Sequence, residues 1–309
     1  ESWMRRHVFT QQARVALDFA VRSIFAAEAS ELSFLHFLFY LRSGGGLMSL
    51  ASVEGGAQQE RFHGGVQPLA EKLARAGGAE LVLGAPVRAI RQDADVCTVI
   101  SDAGEFRAAH AVVAVPPVLA GRIHYDPDLP ARRDALTQRM PMGSVIKCVA
   151  AYREPFWRRA GFSGELLSDG DPLQLAFDDS SEEGSQAALV GFILGNAAKE
   201  WTARSPAARR RAVLGAFARY FGDEALDPVD FAEKDWPADE WSRGCYAAFM
   251  TPGTMTSLGD TLREPCGRIH WAGTETAAVW NGYIEGAIRS GYRAAEEVRA
   301  LFSHLRAGR

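Results

Sequence analysis

What the 309-residue sequence lacks excludes several classes of protein. It has no run of about eighteen apolar residues, so no membrane-spanning helix is expected. The formal net charge of -4 gives no excess positive field, so a nucleic acid or a membrane surface is not an expected partner. The cysteines are few and widely spaced, which predicts neither a metal site nor a disulfide framework and favours a reducing cytoplasm. They are Cys97, Cys148, Cys245 and Cys266.

Lysine is also scarce, and a phosphate-binding turn is missing. The four lysines stand in an arginine-rich sequence, a usage that suggests a GC-rich bacterial genome. No Gly-x-Gly-x-x-Gly follows a predicted strand, so the turn that holds a dinucleotide pyrophosphate is not found. The sequence begins at Glu1 without a signal peptide, and we expect its start to be truncated.

Helical spacing dominates the first part of the chain. Apolar residues recur every three or four positions over residues 4–41, with a break at 28–30, where Ser30 could cap a second helix. Residues 47–53 are expected to be extended, and residues 66–76 to form a helix.

Strand patterns follow, which predicts a mixed α/β fold. Residues 111–115 form a continuous apolar run, typical of a strand covered on both faces. The alternation of helical and strand blocks indicates two domains that exchange segments. The predicted strands are 81–83, 87–90, 96–100, 111–115, 143–152 and 187–194, followed by a helix at 206–221, a last strand and a helix from about Gly282.

The segment 268–292 predicts a strand, a tight turn and a helix that begins at a ligand. Small residues at spacings of three, four and seven would let something flat approach this helix closely. Its first N–H groups suit an electron-rich group. An ordinary strand–helix unit with a small-residue packing face would produce the same pattern. The small residues are Gly286, Ala287, Ser290, Gly291, Ala294 and Ala295.

Lys147 lies inside an apolar strand, where period-two alternation places it on one face with Val145 and Val149. An unpaired buried ammonium is costly. Either the side chain reaches water or a carboxylate, or it holds a water molecule against a cofactor.

The segment 236–251 is rich in tryptophan and contains the pair Cys245-Tyr246; taken alone, it could be aromatic core with a buried thiol.

Together these motifs resemble those of the flavin-containing monoamine oxidases, over essentially the whole chain after its first few residues. They include Gly-Ser-Val-Ile-Lys-Cys at 143–148, Ser-x-Gly-Cys-Tyr at 242–246 and Trp-Ala-Gly-Thr-Glu-Thr at 271–276. The resemblance implies an α/β FAD-linked amine oxidase fold that is incomplete in this chain. It places the substrate domain at 1–61 and 137–238, and the FAD-binding domain at 62–136 and 239–309.

The resemblance also implies roles for particular residues and no metal site. Lys147 would hydrogen-bond a water at flavin N5, and Cys245 would be joined to the flavin 8α carbon, although relatives without a covalent link are known. Tyr246 and Tyr283 would form an aromatic cage for the amine nitrogen. The other cofactor-binding residues implied are Val87, Trp236, Gly273, Glu275 and Ile284. The residues implied to line the substrate cavity are Ile24, Leu50, Gln58, Leu175 and Phe192.

The function implied is oxidative deamination of a primary amine by FAD and O2 to an aldehyde, ammonia and hydrogen peroxide, in a protein that could be a homodimer. Without the missing nucleotide fold, this chain could be inactive or dependent on a partner. A diamine or polyamine oxidase is an alternative. A non-catalytic subunit that pairs with a separate nucleotide-binding chain is another.

Overall fold

The computed structural model describes residues 1–170, 172–181 and 186–307, with side chains of the last helix described up to residue 302. The chain divides into two compact units. Unit 1 comprises Glu1–Leu32 and Met142–Phe249, and unit 2 comprises Ser33–Pro141 and Met250–Arg309. The boundaries between substrate and FAD-binding domains that the resemblance implies stay a prediction.

Helices and strands alternate along much of the chain. The helices are α1 (Ser2–His7), α2 (Gln11–Phe25), α3 (Phe34–Ser43), α4 (Leu47–Ala51), α5 (Gln67–Ala76), α6 (Pro117–Ala120), α7 (Ala131–Thr137), α8 (Phe156–Arg159), α9 (Gly195–Trp201), α10 (Pro206–Phe221), α11 (Thr254–Leu258) and α12 (Ile284–Ala307). The strands are β1 (Val87–Gln92), β2 (Cys97–Ser101), β3 (Gly104–Ala108), β4 (Ala111–Val113), β5 (His124–Asp126), β6 (Val145–Tyr152), β7 (Leu166–Leu167), β8 (Leu175–Asp178), β9 (Ala187–Leu194), β10 (Asp230–Asp235) and β11 (Ile269–Trp271). Short 3-10 helices lie at Asp223–Leu226, Gly259–Leu262 and Thr274–Thr276.

Unit 1 is built on an antiparallel sheet with the strand order β10-β6-β9-β8-β7. Helix α10 packs its apolar residues, among them Val213 and Phe217, into the core of this unit. The sequence determines where this helix starts, because the Ser205 hydroxyl accepts a hydrogen bond from the Ala208 amide and Pro206 occupies the first turn. Such burial of apolar surface is the main source of stability for the sheet.

Unit 2 contains a sheet of order β3-β2-β1-β5 and a parallel pair formed by β11 and β4. Trp271, at the end of β11, is buried, and the Arg133 guanidinium lies 3.6 Å from its ring centroid. Arg133 also donates hydrogen bonds to the carbonyl oxygens of Thr261 and Leu262. These contacts fix the strand that leads into the turn at Gly273.

Several predicted elements are confirmed. Strand β9 and helix α10 have the predicted bounds, and β1, β2, β4, β6, α5 and α12 lie where strands or helices were expected. The mixed α/β class is confirmed as well. None of the described helices combines the length and the apolar character of a membrane span.

Three local predictions are wrong. Ser33, not Ser30, caps α3, since its hydroxyl accepts from the His36 amide and its backbone is extended. Residues 47–53 are not extended: α4 forms there after a turn at Gly46 (φ 106°), and it buries Leu50. Residues 81–83, all of them described, form no strand.

The predicted covering of residues 111–115 on both faces is also wrong for the described chain. Val112 is 46% exposed and Val115 42% exposed, whereas Val113 is buried. Strand β4 therefore has one buried and one open face, and β11 is its only neighbour among the described strands.

Candidate functional site

In unit 1, the loop that carries Cys245 and Tyr246 is tied to the residues before β6. The Cys245 amide donates to the Gly143 carbonyl oxygen at 2.9 Å, and the Gly143 amide donates to the Ala247 carbonyl oxygen at 3.2 Å. The peptide bond between Cys245 and Tyr246 is cis. Two motifs separated by about a hundred residues in the sequence thus meet in one backbone arrangement.

Glycine is required at this meeting point. A Cβ atom on Gly143 would lie 2.3 Å from the Phe25 carbonyl oxygen and 2.4 Å from that of Cys245. A Cβ atom on Gly244 would lie 2.3 Å from the Gly143 carbonyl oxygen, and Gly244 has φ 147°. The glycines of the two motifs therefore allow three stretches of backbone to approach closely.

An apolar cluster brings together four of the predicted site residues. Its buried members include Val145 and Leu194. The predicted residues in this cluster are Leu175, which is buried, and Phe192, Trp236 and Cys245, which pack against it and are partly exposed. Partly exposed apolar side chains around a thiol form a surface to which a flat apolar group could bind.

Lys147 lies beside this cluster. Its strand β6 pairs with β9, where Lys147 is opposite Phe192, and its ammonium nitrogen lies 5.7 Å from the Phe192 ring centroid. The lysine side chain is exposed, while Val145 on the same face is buried. The ammonium group of Lys147 is thus in contact with water, as is usual for lysine, and it also lies close to an aromatic ring.

The Cys245 thiol is shielded from water and feels the lysine charge. Burial raises the pKa of Cys245 to about 11, and the positive charge of Lys147 acts in the opposite direction. The thiol is therefore protonated near neutral pH. Because the thiolate is the reactive form, the reactivity of Cys245 depends on what lowers this pKa.

The remaining predicted residues of unit 1 differ in exposure. Tyr246 is 38% exposed, and Ile24 is partly buried on α2. The Trp236 amide donates to the Val145 carbonyl oxygen at 3.3 Å, and the Lys234 ammonium lies 5.2 Å from the Trp236 ring centroid. Trp236 is thus held at the end of β10 by the same strand that carries Lys147.

In unit 2, Tyr283 lies in the turn that precedes α12. Its amide donates to the Trp280 carbonyl oxygen at 3.1 Å, and its own carbonyl accepts from the Thr274 hydroxyl at 2.8 Å. Burial raises the pKa of Tyr283, while side-chain hydrogen bonds with Gln58 and Tyr40 lower it. The phenol therefore stays protonated at neutral pH.

Gln58 and Leu50, both expected to line the cavity, belong to one local structure. The Gln58 side-chain amide donates to the Leu50 carbonyl oxygen at 3.1 Å. Leu50 is buried and packs against Gly44, where a Cβ atom would lie 2.5 Å from the leucine side chain. Within unit 2, the structure thus brings Gln58 close to Tyr283, whereas the Leu50 side chain packs α4 against Gly44.

Gly273 and Glu275 lie in the turn after β11. Gly273 has φ 104°, and its amide donates to the Ser290 hydroxyl of α12 at 3.0 Å. Glu275 is 5% exposed and lines a cleft of about 330 Å³ within unit 2. Burial lowers the pKa of His36 in the same cleft to about 4. The other residues that line the cleft are Phe39, Met250, Met255, Gly259, Asp260, Leu262 and Arg263.

Helix α12 begins at Ile284, and half of its predicted small-residue face is buried. Gly286, Ser290 and Ala294 are buried, one turn apart from each other. Ala287, Gly291 and Ala295 are exposed. A Cβ atom on Gly286 would lie 2.1 Å from the Trp280 carbonyl oxygen, so the first helical turn packs on the turn that carries Tyr283.

Val87 begins β1 and is 38% exposed, and Ile284 is 44% exposed.

Two residues that sequence analysis missed contribute to the site of unit 2. Tyr40 contacts Tyr283, and the Asn281 side chain donates to the carbonyl oxygens of Glu275 and Ala277. Tyr40 follows an aromatic-rich run on α3, and nothing in that run distinguishes it from core.

Comparison with known proteins identifies the family of this chain. Residues 1–299 match the family described as "Flavin containing amine oxidoreductase". A relative from Dictyostelium discoideum, "Probable flavin-containing monoamine oxidase A", is 51% identical over 299 residues, which are 96% of this chain and 66% of that protein. The chain thus spans just under two thirds of the length of that relative.

Solved structures are also similar. Cyclohexylamine oxidase from Brevibacterium oxydans IH-35A superposes with a TM-score of 0.91 at 34% identity, covering 98% of this chain and 67% of the other. A wild-type putrescine oxidase bound to putrescine superposes with a TM-score of 0.89 at 31% identity, covering 97% of this chain and 67% of the other.

Proposed function

Since the chain belongs to the flavin-containing amine oxidoreductase family, we propose that it carries part or all of a flavin-dependent amine oxidase that deaminates primary amines. The reaction converts an amine, O2 and water to an aldehyde, ammonia and hydrogen peroxide. A bound flavin would supply the two-electron oxidation of the amine and pass the electrons to O2.

One observation carries this proposal most strongly. Cys245, Trp236 and Phe192 pack in one apolar cluster, and the ammonium of Lys147 lies 5.7 Å from the Phe192 ring centroid. A cation at the edge of an apolar, partly open aromatic surface is suited to hold a water molecule beside a flat ring system.

The described residues fit a flavin in several respects. In unit 1, Trp236 and Cys245 offer an apolar surface with one thiol. In unit 2, the first N–H groups of α12, from Ile284 onward, have no acceptor inside the helix and carry the positive end of its dipole. Glu275 and the backbone at Gly273 would contact the hydroxyl-bearing chain of the cofactor, and Val87 its adenine.

We assign the following roles to the side chains. The Lys147 ammonium would donate hydrogen bonds to a water molecule beside a bound flavin. Tyr246 in unit 1 and Tyr283 in unit 2 each offer an aromatic face, whose π-electrons attract an amine nitrogen. Ile24, Leu175 and Phe192 exclude water from the substrate.

Cys245 would hold the flavin through a thioether to its 8α carbon. This bond would replace the S–H bond of the cysteine and one C–H bond of the flavin methyl group, and O2 would take up the two electrons and two protons as hydrogen peroxide.

Amine oxidation by the purified chain tests the proposal. The chain is expressed with FAD supplied, and hydrogen peroxide is measured with benzylamine and tyramine as substrates. We expect peroxide formation that depends on the amine and falls in the Lys147→Met variant. A chain that binds FAD but forms no peroxide with benzylamine, tyramine or putrescine would contradict the proposal and favour a non-catalytic subunit.

A diamine is the second candidate substrate, because this chain superposes on a putrescine oxidase bound to putrescine. Comparing putrescine with benzylamine in the same assay separates the two. A kcat/KM for putrescine above that for benzylamine would identify the diamine as the substrate.

The four free cysteines support a reducing cytoplasm as the location of the protein.

A further inference from the structure

Tyr40 lies against the backbone of the turn that carries Tyr283. Tyr40 is on α3 and is 6% exposed. A Cβ atom on Gly282 would lie 2.5 Å from the Tyr40 hydroxyl oxygen and 2.9 Å from its Cε2 atom. The tyrosine ring therefore fills the space that any other residue at position 282 would need.

The same helix holds the turn by its backbone. The Trp280 amide donates to the carbonyl oxygen of Ser43, the last residue of α3, at 2.9 Å. Trp280 itself has φ 53°, and its carbonyl oxygen accepts from the Tyr283 amide. The position of the Tyr283 backbone is thus set from α3 at two points, through Gly282 and through Trp280.

The side chain of Tyr283 is also held at both its ring and its tip. The Trp280 ring meets it edge to face, with centroids 5.2 Å apart and an interplanar angle of 71°. The Tyr40 ring lies at 6.5 Å and 39°. The side chains of Tyr40 and Gln58 are near enough to the Tyr283 hydroxyl to lower its pKa, which burial raises.

These contacts constrain different motions of the ring. The phenol oxygen lies on the axis about which the ring rotates, so hydrogen bonds there fix the position of the tip without fixing the ring plane. The neighbouring aromatic rings fix the plane. A ring face that must meet an amine nitrogen needs both, since a displacement of about 1 Å is enough to lower a rate substantially.

We infer that Tyr40 is a positioning residue for Tyr283. Together with Gln58 it holds the tip of the ring, and its own ring helps to set the plane of the face presented to the amine. The inference rests on the proposed function, because it takes Tyr283 to face the substrate. The Gln58 side chain is itself fixed, since its amide donates to the Leu50 carbonyl oxygen at 3.1 Å.

Tyrosine NMR tests the inference without requiring activity. The chain is labelled with 13C at the tyrosine ζ carbon, and the Tyr283 signal is assigned with Tyr283→Phe. In Tyr40→Phe, which keeps the ring against Gly282, we expect the Tyr283 signal to shift and its pKa to rise, because a hydrogen bond that favours the phenolate is lost. Gln58→Leu should act in the same direction. Tyr292→Phe, at a position 73% exposed on α12, should leave the signal unchanged.

Activity then shows whether the support matters for the reaction. In the FAD-loaded chain, Tyr40→Phe should lower kcat about fivefold while KM changes less than about twofold, the effect of losing one neutral hydrogen bond needed after binding. An unchanged Tyr283 signal in both variants would overturn the inference, as would a shifted signal with unchanged kcat. If the parent chain oxidises no amine but the signal moves, the proposed function fails and the support of Tyr283 by Tyr40 stands.

Discussion

Gly282 and Tyr40 fit each other so closely that a Cβ atom on the glycine would lie 2.5 Å from the tyrosine hydroxyl oxygen. Gly282 also has φ 84°, a backbone conformation that costs other residues about 1 kcal/mol or more. We expect Gly282→Ala to lower the free energy of unfolding by about 2 to 4 kcal/mol, because strain and overpacking add. Urea unfolding followed by fluorescence measures the change.

Gly291→Ala is the matched control for that substitution. Gly291 is exposed on α12, and apart from its chain neighbours and the backbone of its own helix no described atom lies within 4 Å of its hypothetical Cβ atom. Alanine in a helix interior is favoured over glycine by about 0.5 to 1 kcal/mol, so this variant should be slightly more stable than the parent. Similar losses in both variants would show that the fit between Gly282 and Tyr40 is not the cause.

Covalent attachment of the flavin should depend strongly on pH. Burial raises the pKa of Cys245 to about 11, so the thiolate fraction rises about tenfold for each pH unit in the range below that value. We expect the yellow colour that survives acid precipitation to form much faster at pH 9 than at pH 7. Cys245→Ala should give a colourless pellet. Attachment at equal rates at both pH values would show that ionisation of the thiol does not limit the reaction.

Lys147 should affect the exchange of electrons with the flavin. If its ammonium holds a water molecule at the flavin, Lys147→Met slows flavin reduction or reoxidation in stopped-flow measurements of the loaded chain. Lys72→Met, at an exposed position on α5, is the control. Rates that match those of the parent in Lys147→Met would remove this lysine from the mechanism.

His36 should make unit 2 sensitive to acid. Burial lowers its pKa from 6.5 to about 4, so the folded protein holds this imidazole neutral while the unfolded chain protonates it. The unfolded chain then binds more protons between these two values, so stability falls as the pH drops from about 6.5 to about 4, by about 3 kcal/mol in all.

Replacement of His36 by phenylalanine should flatten this dependence, because the ring remains and the titration is lost. Urea unfolding at pH 7 and pH 4.5 measures it. The exposed His63 provides the control variant His63→Gln. A pH dependence that is as steep in His36→Phe as in the parent would assign the acid sensitivity to other groups.

The Arg209 side chain should contribute far more to the stability of the folded protein than the side chains of surface arginines do. It forms a buried ion pair with Glu233 at 2.5 Å and donates to the Arg204 carbonyl oxygen at 2.7 Å. Arg209→Met leaves the carboxylate buried without its partner and should cost about 3 to 5 kcal/mol. The pair of Arg88 and Asp102 is roughly half exposed, so Arg88→Met should cost less than about 1 kcal/mol. Equal thermal shifts for the two variants would contradict this difference.

Sequence signals predict those helices and strands that are determined by their own residues and not by a distant partner. Helix α10 has a serine cap, a proline in its first turn and apolar spacing, and its bounds were predicted correctly. Strand β10 was missed because it is a polar edge strand that alternates exposed polar residues with partly buried ones. Its partner β6, far away in the sequence, makes it a strand.

The residues of the candidate site could be named from their resemblance to a family, but not their support. Nothing in the sequence shows that the backbone of Cys245 approaches Gly143 too closely for a Cβ atom there, or that Tyr40 lies against Gly282. Both relationships join residues more than a hundred positions apart, and both depend on the absence of a single Cβ atom. Such contacts follow from tertiary packing, which periodicity does not encode.

Amine oxidation by this chain is tested most simply by anaerobic addition of benzylamine to the FAD-loaded protein, with the visible flavin absorption recorded before and after. We expect the absorption to bleach, and to return on admission of O2 with release of one hydrogen peroxide per flavin. A chain that holds FAD but whose absorption is unchanged by benzylamine, tyramine and putrescine would contradict the proposed function.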